Sequence, residues 1–272
     1  MQIDGLSFRL TAPFDFSFVS EYGKVFKVFD DQDSGNICFG VEASSGERYF
    51  IKFAGAPTVR TCRSPEAAIA TLKAAVSVYR DLRHECLVRL IDARDVGGGY
   101  AAVFAWVDAE CMGRMYEKSR EKFMQMPLES KLRVYEDILR FHAHVAACGY
   151  VAIDFYDGSI MYDFAHEKTL ICDIDFYARQ PYTNEMGRLW GSSRFMSPEE
   201  HVRGATIDEV SNVYAMGATA FALFAYYDRS RESWPLGEDA YRAAQKATSD
   251  VRESRPQSIR EYLDAWRHAL GS

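Results

Sequence analysis

β-Branched and aromatic residues gather in three stretches near the start of the chain, Lys24–Phe29, Asn36–Glu42 and Arg48–Phe53. This composition predicts strands. Ser44-Ser45-Gly46-Glu47 separates the last two as a hairpin signal. Ser64-Pro65-Glu66 then carries the marks of a helix start: a capping hydroxyl, proline at the first position and an early acid. Ile69, Leu72, Val76, Tyr79 and Leu82 recur at steps of three and four, so one face of that helix is buried. Two further strands are expected at Leu87–Ala93 and Tyr100–Val107, divided by Gly97-Gly98-Gly99.

Beyond about residue 109 the pattern turns helical. Leu128–Cys148 is amphipathic and Gly149 stops it. Short strands are expected near Ser159–Tyr162 and Thr169–Cys172, then an irregular run from Asp173 to Glu199. The longest apolar stretch, Tyr214–Tyr227, is too short to span a bilayer and reads as a helix buried on all sides. Five strands with one helix, followed by mainly helical sequence, give an α+β order with a cleft expected at residues 105–110.

A chain of 272 residues suits one large domain or two small lobes sharing a cleft, and it can bury a sizeable core. A net charge of −7 argues against nucleic-acid or membrane-surface partners, which require basic patches. The basic run Arg114–Lys122 is interleaved with Glu117 and Glu121 and reads as a solvated helix face. Six cysteines, at 38, 62, 86, 111, 148 and 172, form no CxxC pair, so they are expected to be reduced thiols in a cytoplasmic protein rather than disulfides or zinc ligands. The N-terminal MQIDGLSFRL lacks the charged and apolar regions of a signal peptide.

Several blocks together resemble the protein kinase superfamily, in particular bacterial, eukaryotic-like serine/threonine kinases with degenerate motifs, over about residues 24–268. SGERYFIKF is similar to the small-lobe strand whose lysine binds nucleotide phosphates, and Lys52 holds that place. LRHECLVRL follows at the usual distance. Tyr150–Met161 resembles the catalytic loop, which puts Asp154 on the catalytic aspartate and Ser159 on a magnesium ligand. Leu170-Ile171-Cys172-Asp173, with Asp173 nineteen residues after Asp154, resembles the strand ending in the main magnesium-binding aspartate. A second register starts at Asp175-Phe176-Tyr177; Asp173 is favoured because it follows the apolar strand directly. Gly191-Ser192-Ser193-Arg194-Phe195-Met196-Ser197-Pro198-Glu199 is very similar to the end of an activation segment, with Arg255 the implied buried partner of Glu199. Ser192 resembles the hydroxyl residue beside the catalytic aspartate, and Asn212 stands where the central large-lobe helix has an aspartate.

The resemblance implies a two-lobed protein kinase-like fold filling residues 1–272, with an N-lobe over about 20–106 and a C-lobe over about 107–270. It also implies ATP and Mg as cofactors, a protein substrate or regulatory partner, Gly35 and Lys52 at the phosphates, and Ala105 and Val107 beside the adenine, behind Phe104. The pattern departs from the family at several places. Phe29-Asp30-Asp31-Gln32-Asp33-Ser34-Gly35 keeps one glycine and adds three acids, and Ala75 replaces the helix glutamate that would pair with Lys52. Tyr156 replaces the loop lysine, Ser159 an asparagine, and Ile153 the arginine that receives an activation-segment phosphate. Three readings follow: a protein serine/threonine kinase, a pseudokinase scaffold, and a small-molecule phosphotransferase. The last leaves the Glu199 segment unexplained.

Overall fold

The computed structural model describes residues 1–32, 34–60 and 63–271. The fold is α+β, with several small antiparallel sheets and six α-helices among the described residues. The chain divides into two compact units, one formed by Met1–Arg83 with Val88–Asp108, the other by His84–Leu87 with Ala109–Ser272.

The first unit opens with a small hairpin, β1 (Gln2–Ile3) and β2 (Leu6–Ser7). Then come β3 (Lys24–Phe29), β4 (Asn36–Glu42), β5 (Arg48–Ala54), α1 (Pro65–Asp81), β6 (Leu90–Val96) and β7 (Gly99–Ala105). The five longer strands form one antiparallel sheet in the order β3-β4-β5-β7-β6. Gly46, at φ +86°, makes the expected hairpin turn, and the Ser64 side chain accepts from Ala67 N to cap α1.

Strand alternation sorts β5 between two faces. Ile51 and Phe53 join a core with Val25, Ile37, Phe39, Val41, Ala101 and Val103. The N-terminal segment covers that core with Phe8, Phe16 and Phe18: Phe16 meets Phe39 at 5.1 Å and Phe18 meets Phe53 at 5.0 Å between ring centroids. Each such ring pair contributes about 0.5–1.5 kcal/mol beyond burial. Phe50 and Lys52 occupy the opposite face, where Phe29, Phe50 and Trp106 form a second aromatic group.

The expected strand at Leu87–Ala93 is displaced to Leu90–Val96. Its apolar start is recruited by the second unit: Cys86 O accepts from Ile171 N at 2.5 Å, and Leu87 bridges to Ile171. Leu87 thus makes an isolated bridge within the second unit, and the strand of the first unit begins only at Leu90.

The second unit contains β8 (Glu110–Cys111), α2 (Glu117–Met124), α3 (Leu128–Ala147), β9 (Tyr150–Val151), β10 (Ile160–Asp163), β11 (Lys168–Ile171), β12 (Ala178–Arg179), β13 (Tyr182–Thr183) and β14 (Thr206–Ile207). Three helices complete it: α4 (Glu209–Phe224), α5 (Glu238–Ala247) and α6 (Ile259–Ala269). The strands pair in sheets of order β11-β10-β8, β12-β9 and β13-β14. Helix α4 is buried from Val210 to Phe224 and is held centrally by α3, α5 and α6. A Cβ on Gly217 would come within 2.8 Å of Ala247 Cβ and Thr248 Cγ2, so glycine permits the close α4–α5 approach. The Tyr135 hydroxyl ties α3 to α4 and α6 through Met216 O (2.8 Å) and Tyr262 Oη (2.9 Å).

No helix among the described residues is long and apolar enough to cross a membrane. Cys38, Cys86, Cys111, Cys148 and Cys172 are free thiols, and Cys62 lies outside the described residues. The Arg114–Lys122 run is not wholly a solvated face. Arg120 and Phe123 are buried on α2, because two tyrosine rings at 226 and 227 cover the guanidinium.

Candidate functional site

Gly149, at φ +76°, ends α3 and sends the chain through β9 into the loop bearing Asp154. Asn212 on α4 clamps that loop. Its Oδ1 accepts from Ala152 N at 2.7 Å and its Nδ2 donates to Ala152 O at 2.7 Å. An aspartate could accept the first bond but could not donate the second, so the carboxamide suits both partners. Next to the clamp, Phe155 meets the His142 ring at 4.2 Å. Burial pushes His142 down to about 4, so the ring is neutral at pH 7. Ile138 O can only accept, so Nδ1 donates to it (2.8 Å) and Nε2 accepts from the Tyr177 hydroxyl (3.0 Å).

Asp154 itself sits at φ +63°, in the left-handed region that costs a non-glycine residue roughly 1–2 kcal/mol. Asp173 sits there too, at φ +57°. Such outliers persist where the surroundings over-determine them, and they cluster at functional sites. The surroundings here are a short turn and a hairpin. Asp157–Ser159 form a 3-10 turn closed by Ser159 N on Tyr156 O (2.9 Å). Beyond it β10 runs antiparallel to β11 with Ile160 opposite Ile171, and Cys172 N donates to Ser159 O at 2.9 Å. The hairpin thereby sets Asp173 beside the end of the Asp154 loop.

Two phenols report the same proximity. Tyr156 is pushed up by burial and then by the charges of Asp173 and Asp154. Tyr177 is raised by burial, then by Asp154, Cys172 and Asp173. Of the two possible registers, the one starting at Asp173 presents an exposed carboxylate, whereas Asp175 is buried. Ser159 is 1% exposed and its Oγ has no hydrogen-bond partner among the described residues. Ser159 lies opposite Cys172, the residue before Asp173, and both Ser159 and Asp173 carry hard oxygen donors. Among the described residues no group of three or more His, Cys, Asp or Glu could hold a metal ion. Two such oxygens would suit a magnesium ion that keeps its waters and other oxygen ligands, not a closed protein cage.

The segment following Asp173 is held by side chains rather than by sheet. Buried Asn184 donates to Gly187 O and, at 3.1 Å, to Glu200 O, while its Oδ1 accepts from Met186 N and Gly187 N. Arg188 donates to Leu189 O (3.1 Å) and Gly191 O (2.9 Å). Gly191 adopts φ +134°, and a Cβ built there would reach 3.4 Å from Asp154 Oδ1, so glycine lets this segment pass close to the catalytic candidate. Arg194 makes a two-nitrogen contact with buried Asp157 at 3.1 and 3.3 Å, and the Tyr227 hydroxyl also donates to Asp157. Glu199 and Arg255 meet as a bidentate pair at 2.7 and 3.0 Å.

Glu200 completes a capping box with Ser197, accepting from its N–H (2.6 Å) and hydroxyl (2.8 Å). Burial raises Glu200 from 4.5 to about 7 despite these bonds. A folded-state value above the unfolded one means that folding retains the proton, so stability falls as pH rises from about 4.5 to about 7. The loss amounts to at most about 3 kcal/mol. Glu200→Gln keeps an acceptor in the box without the charge. Its denaturation midpoint is expected to vary less than wild type between pH 5 and 7, and an unchanged pH profile would assign the dependence elsewhere.

In the first unit, Lys52 lies in the sheet between Cys38 and Ala102. Gly35 is left-handed at φ +86°. Ala105 N donates to Arg89 O (2.9 Å) and Trp106 N to Arg48 O (3.0 Å), whereas Val107 makes no hydrogen bond among the described residues. Ala75 is fully buried on α1, which leaves that position apolar. The acids of the preceding loop are partly neutralised: Arg9 lies 3.7 Å from Asp30 and 3.8 Å from Asp31, and Arg60 lies 2.5 Å from Asp31. Asp33 lies outside the described residues.

Sequence reasoning missed the Asp157–Arg194–Tyr227 set, the Asn184 hub and the His142–Tyr177 pair. Polar residues inside apolar runs, such as His142 within Phe141–Val145, were the available signal. No protein-family model matches the chain, and no curated protein matches it in sequence.

Proposed function

We propose that the chain is a two-lobed protein kinase-like phosphotransferase, moving the γ-phosphoryl group of ATP to a serine or threonine hydroxyl of a protein in the presence of magnesium. One observation carries this reading. Asp154 and Asp173, both held left-handed, are brought together by the Cys172–Ser159 backbone bond at the positions where the resemblance puts the catalytic and metal-binding acids. In this scheme Asp154 accepts a hydrogen bond from the acceptor hydroxyl and orients its oxygen. That oxygen bonds to the γ-phosphorus as the bridge to the β-phosphate breaks, so ADP leaves and the hydroxyl proton passes to Asp154 or solvent. Lys52 and the Gly35 turn would hold the phosphates, Ala105 and Val107 the base, and Asp173 with Ser159 magnesium. When bound, magnesium neutralises phosphate charge.

A pseudokinase scaffold is the second reading. It is favoured by the apolar Ala75 and by the aromatic group of Phe29, Phe50 and Trp106 on the same sheet face as Lys52. A small-molecule phosphotransferase would give the Glu199–Arg255 pair no role.

The test is transfer of radiolabelled γ-phosphate by the full chain, to itself or to a mixed protein acceptor, with Asp154→Asn in parallel. Transfer by wild type alone is expected. Equal incorporation by both proteins would assign the signal to contamination and remove the enzymatic reading.

The same assay bears on regulation. Ile153 cannot receive a phosphate as arginine would, Asn184 and Arg188 already tie the 184–200 segment internally, and Arg194 anchors it to Asp157. Phosphatase-treated protein is therefore expected to keep full transfer activity; abolition of activity by the treatment would overturn this.

A further inference from the structure

Three arginines surround one tyrosine ring in the second unit. The guanidinium carbons of Arg114, Arg120 and Arg194 lie 5.8, 4.4 and 4.6 Å from the Tyr227 ring centroid. Arg120 also stacks on Tyr226 at 4.0 Å. Among the described residues, Asp157, bound by Arg194, is the one carboxylate paired with any of these cations. Of the three guanidinium groups, Arg194 alone meets a carboxylate among the described residues. In a chain of net charge −7 this excess does not follow from composition.

Arg120 has a further peculiarity. It is only 8% exposed, and its Nη2 has no hydrogen-bond partner among the described residues. Stacking on a ring satisfies the face of a guanidinium but leaves the N–H donors at its rim, directed in the plane of the group. A buried donor without an acceptor is costly unless something supplies one. An oxyanion suits it, since phosphate and carboxylate oxygens match guanidinium geometry.

The location identifies what would carry the anion. Asp157 is three residues beyond Asp154 in the same loop. The stretch from Gly191 to Arg194 starts against Asp154 and ends on Asp157. Arg114 is exposed, as are its neighbours Met115 and Tyr116 and the cluster's own Tyr226. A charged subsite with exposed apolar flanks suits a polypeptide, while the net negative charge disfavours an anionic membrane surface.

We propose that Arg114, Arg120 and Arg194 around Tyr227 form an anion subsite for an acidic or already phosphorylated segment of the acceptor polypeptide. The word acceptor rests on the phosphotransfer reading above; the binding of the anionic segment does not. Stacked between Tyr226 and Tyr227, Arg120 supplies the buried donor, Arg114 the exposed arm, and Arg194 links the subsite to the loop through Asp157.

The experiment measures binding of fluorescent peptides of equal length to the full chain by anisotropy, without nucleotide. Glutamate-rich, phosphoserine-containing, neutral and lysine-rich peptides are compared, as are phosphatidylserine vesicles. Binding of one or both anionic peptides is expected, weakening with salt; the stronger of the two identifies carboxylate or phosphate as the preferred group. Arg114→Glu, at an exposed position, is expected to weaken that binding by about tenfold or more, and Arg120→Gln similarly where it folds. Equal binding of neutral or lysine-rich peptide, or an Arg114→Glu protein with unchanged affinity, would overturn the proposal. So would vesicle binding without peptide binding, which would assign the cluster to lipid.

A parallel transfer assay separates this from the function itself. Anion binding that is lost in Arg114→Glu, with no phosphoryl transfer to any peptide, leaves the subsite standing and removes the kinase reading. Transfer without anionic-peptide binding removes the subsite alone.

Discussion

Arg255→Ala is expected to destabilise the second unit by about 3–5 kcal/mol, since it leaves a buried carboxylate without its main partner. The Arg255 side chain has no solvent exposure and that of Glu199 is 12% exposed. Both terminal nitrogens of Arg255 engage Glu199, Nε donates to Ser249 O at 2.7 Å, and the guanidinium lies 5.1 Å from the Tyr214 ring centroid. Truncation thus removes a fork, a backbone bond and a stack on the central helix together. Arg252 moderates the loss, because it also reaches Glu199 at 3.0 Å. A melting temperature lower by on the order of 10 °C is expected for a unit of this size.

The pH dependence of the same pair has a definite sign. Burial raises the Glu199 carboxyl, but its bonds to Arg255, to backbone and to Ser211 outweigh this and hold it at about 2. A depressed folded-state value contributes stability that is present above the ordinary 4.5 and lost as pH falls through about 2. Arg255→Ala should therefore narrow its gap to wild type in acid. A variant melting like wild type at pH 7 would show that the pair is dispensable and would count against a kinase-like large lobe.

The particular elements that were legible in sequence share a physical cause. Strands β3 to β5 and the start of α1 carry their own instructions, in β-branched runs, a Gly46 turn and a Ser-Pro-Glu cap. The aromatic cover of Phe8, Phe16 and Phe18 was not legible, because it is built on strands of two residues and a 3-10 turn with no period. The start of the Leu87 run was misplaced because its partner, Ile171, is distant in sequence. Within the candidate site, Asp154, Ser159 and Asp173 were singled out by the family resemblance, on a loop, a 3-10 turn and a hairpin end that are close in sequence. Asp157 was not, since its partners Arg194 and Tyr227 come from 37 and 70 residues away. Arg120 misled for a related reason: a charged residue between acids looks solvated until rings from another segment cover it.

The largest effects on function are expected at Asp154 and Asp173, and they should differ in kind. Removing a positioned base costs on the order of 10²–10⁴ in rate. On the proposed function, losing Asp154 should therefore suppress turnover by that order while nucleotide binding survives, because its contribution would belong to the transition state. On the proposed function Asp173 would supply a metal oxygen, so its loss should also abolish the magnesium-dependent part of the nucleotide-induced rise in melting temperature. The choice of substitution matters. Both residues are left-handed, at φ +63° and +57°, where alanine pays a steric penalty that asparagine largely avoids. Asp154→Asn and Asp173→Asn remove charge while retaining that backbone, so a stability loss is not mistaken for a catalytic one. The decisive comparison is melting with ATP alone and with ATP plus magnesium, for wild type and both asparagine variants. If Asp173→Asn retained the full magnesium increment, Asp173 would lose its assigned role. If Asp154→Asn lost nucleotide binding altogether, its part would be in holding the nucleotide rather than in orienting the acceptor hydroxyl.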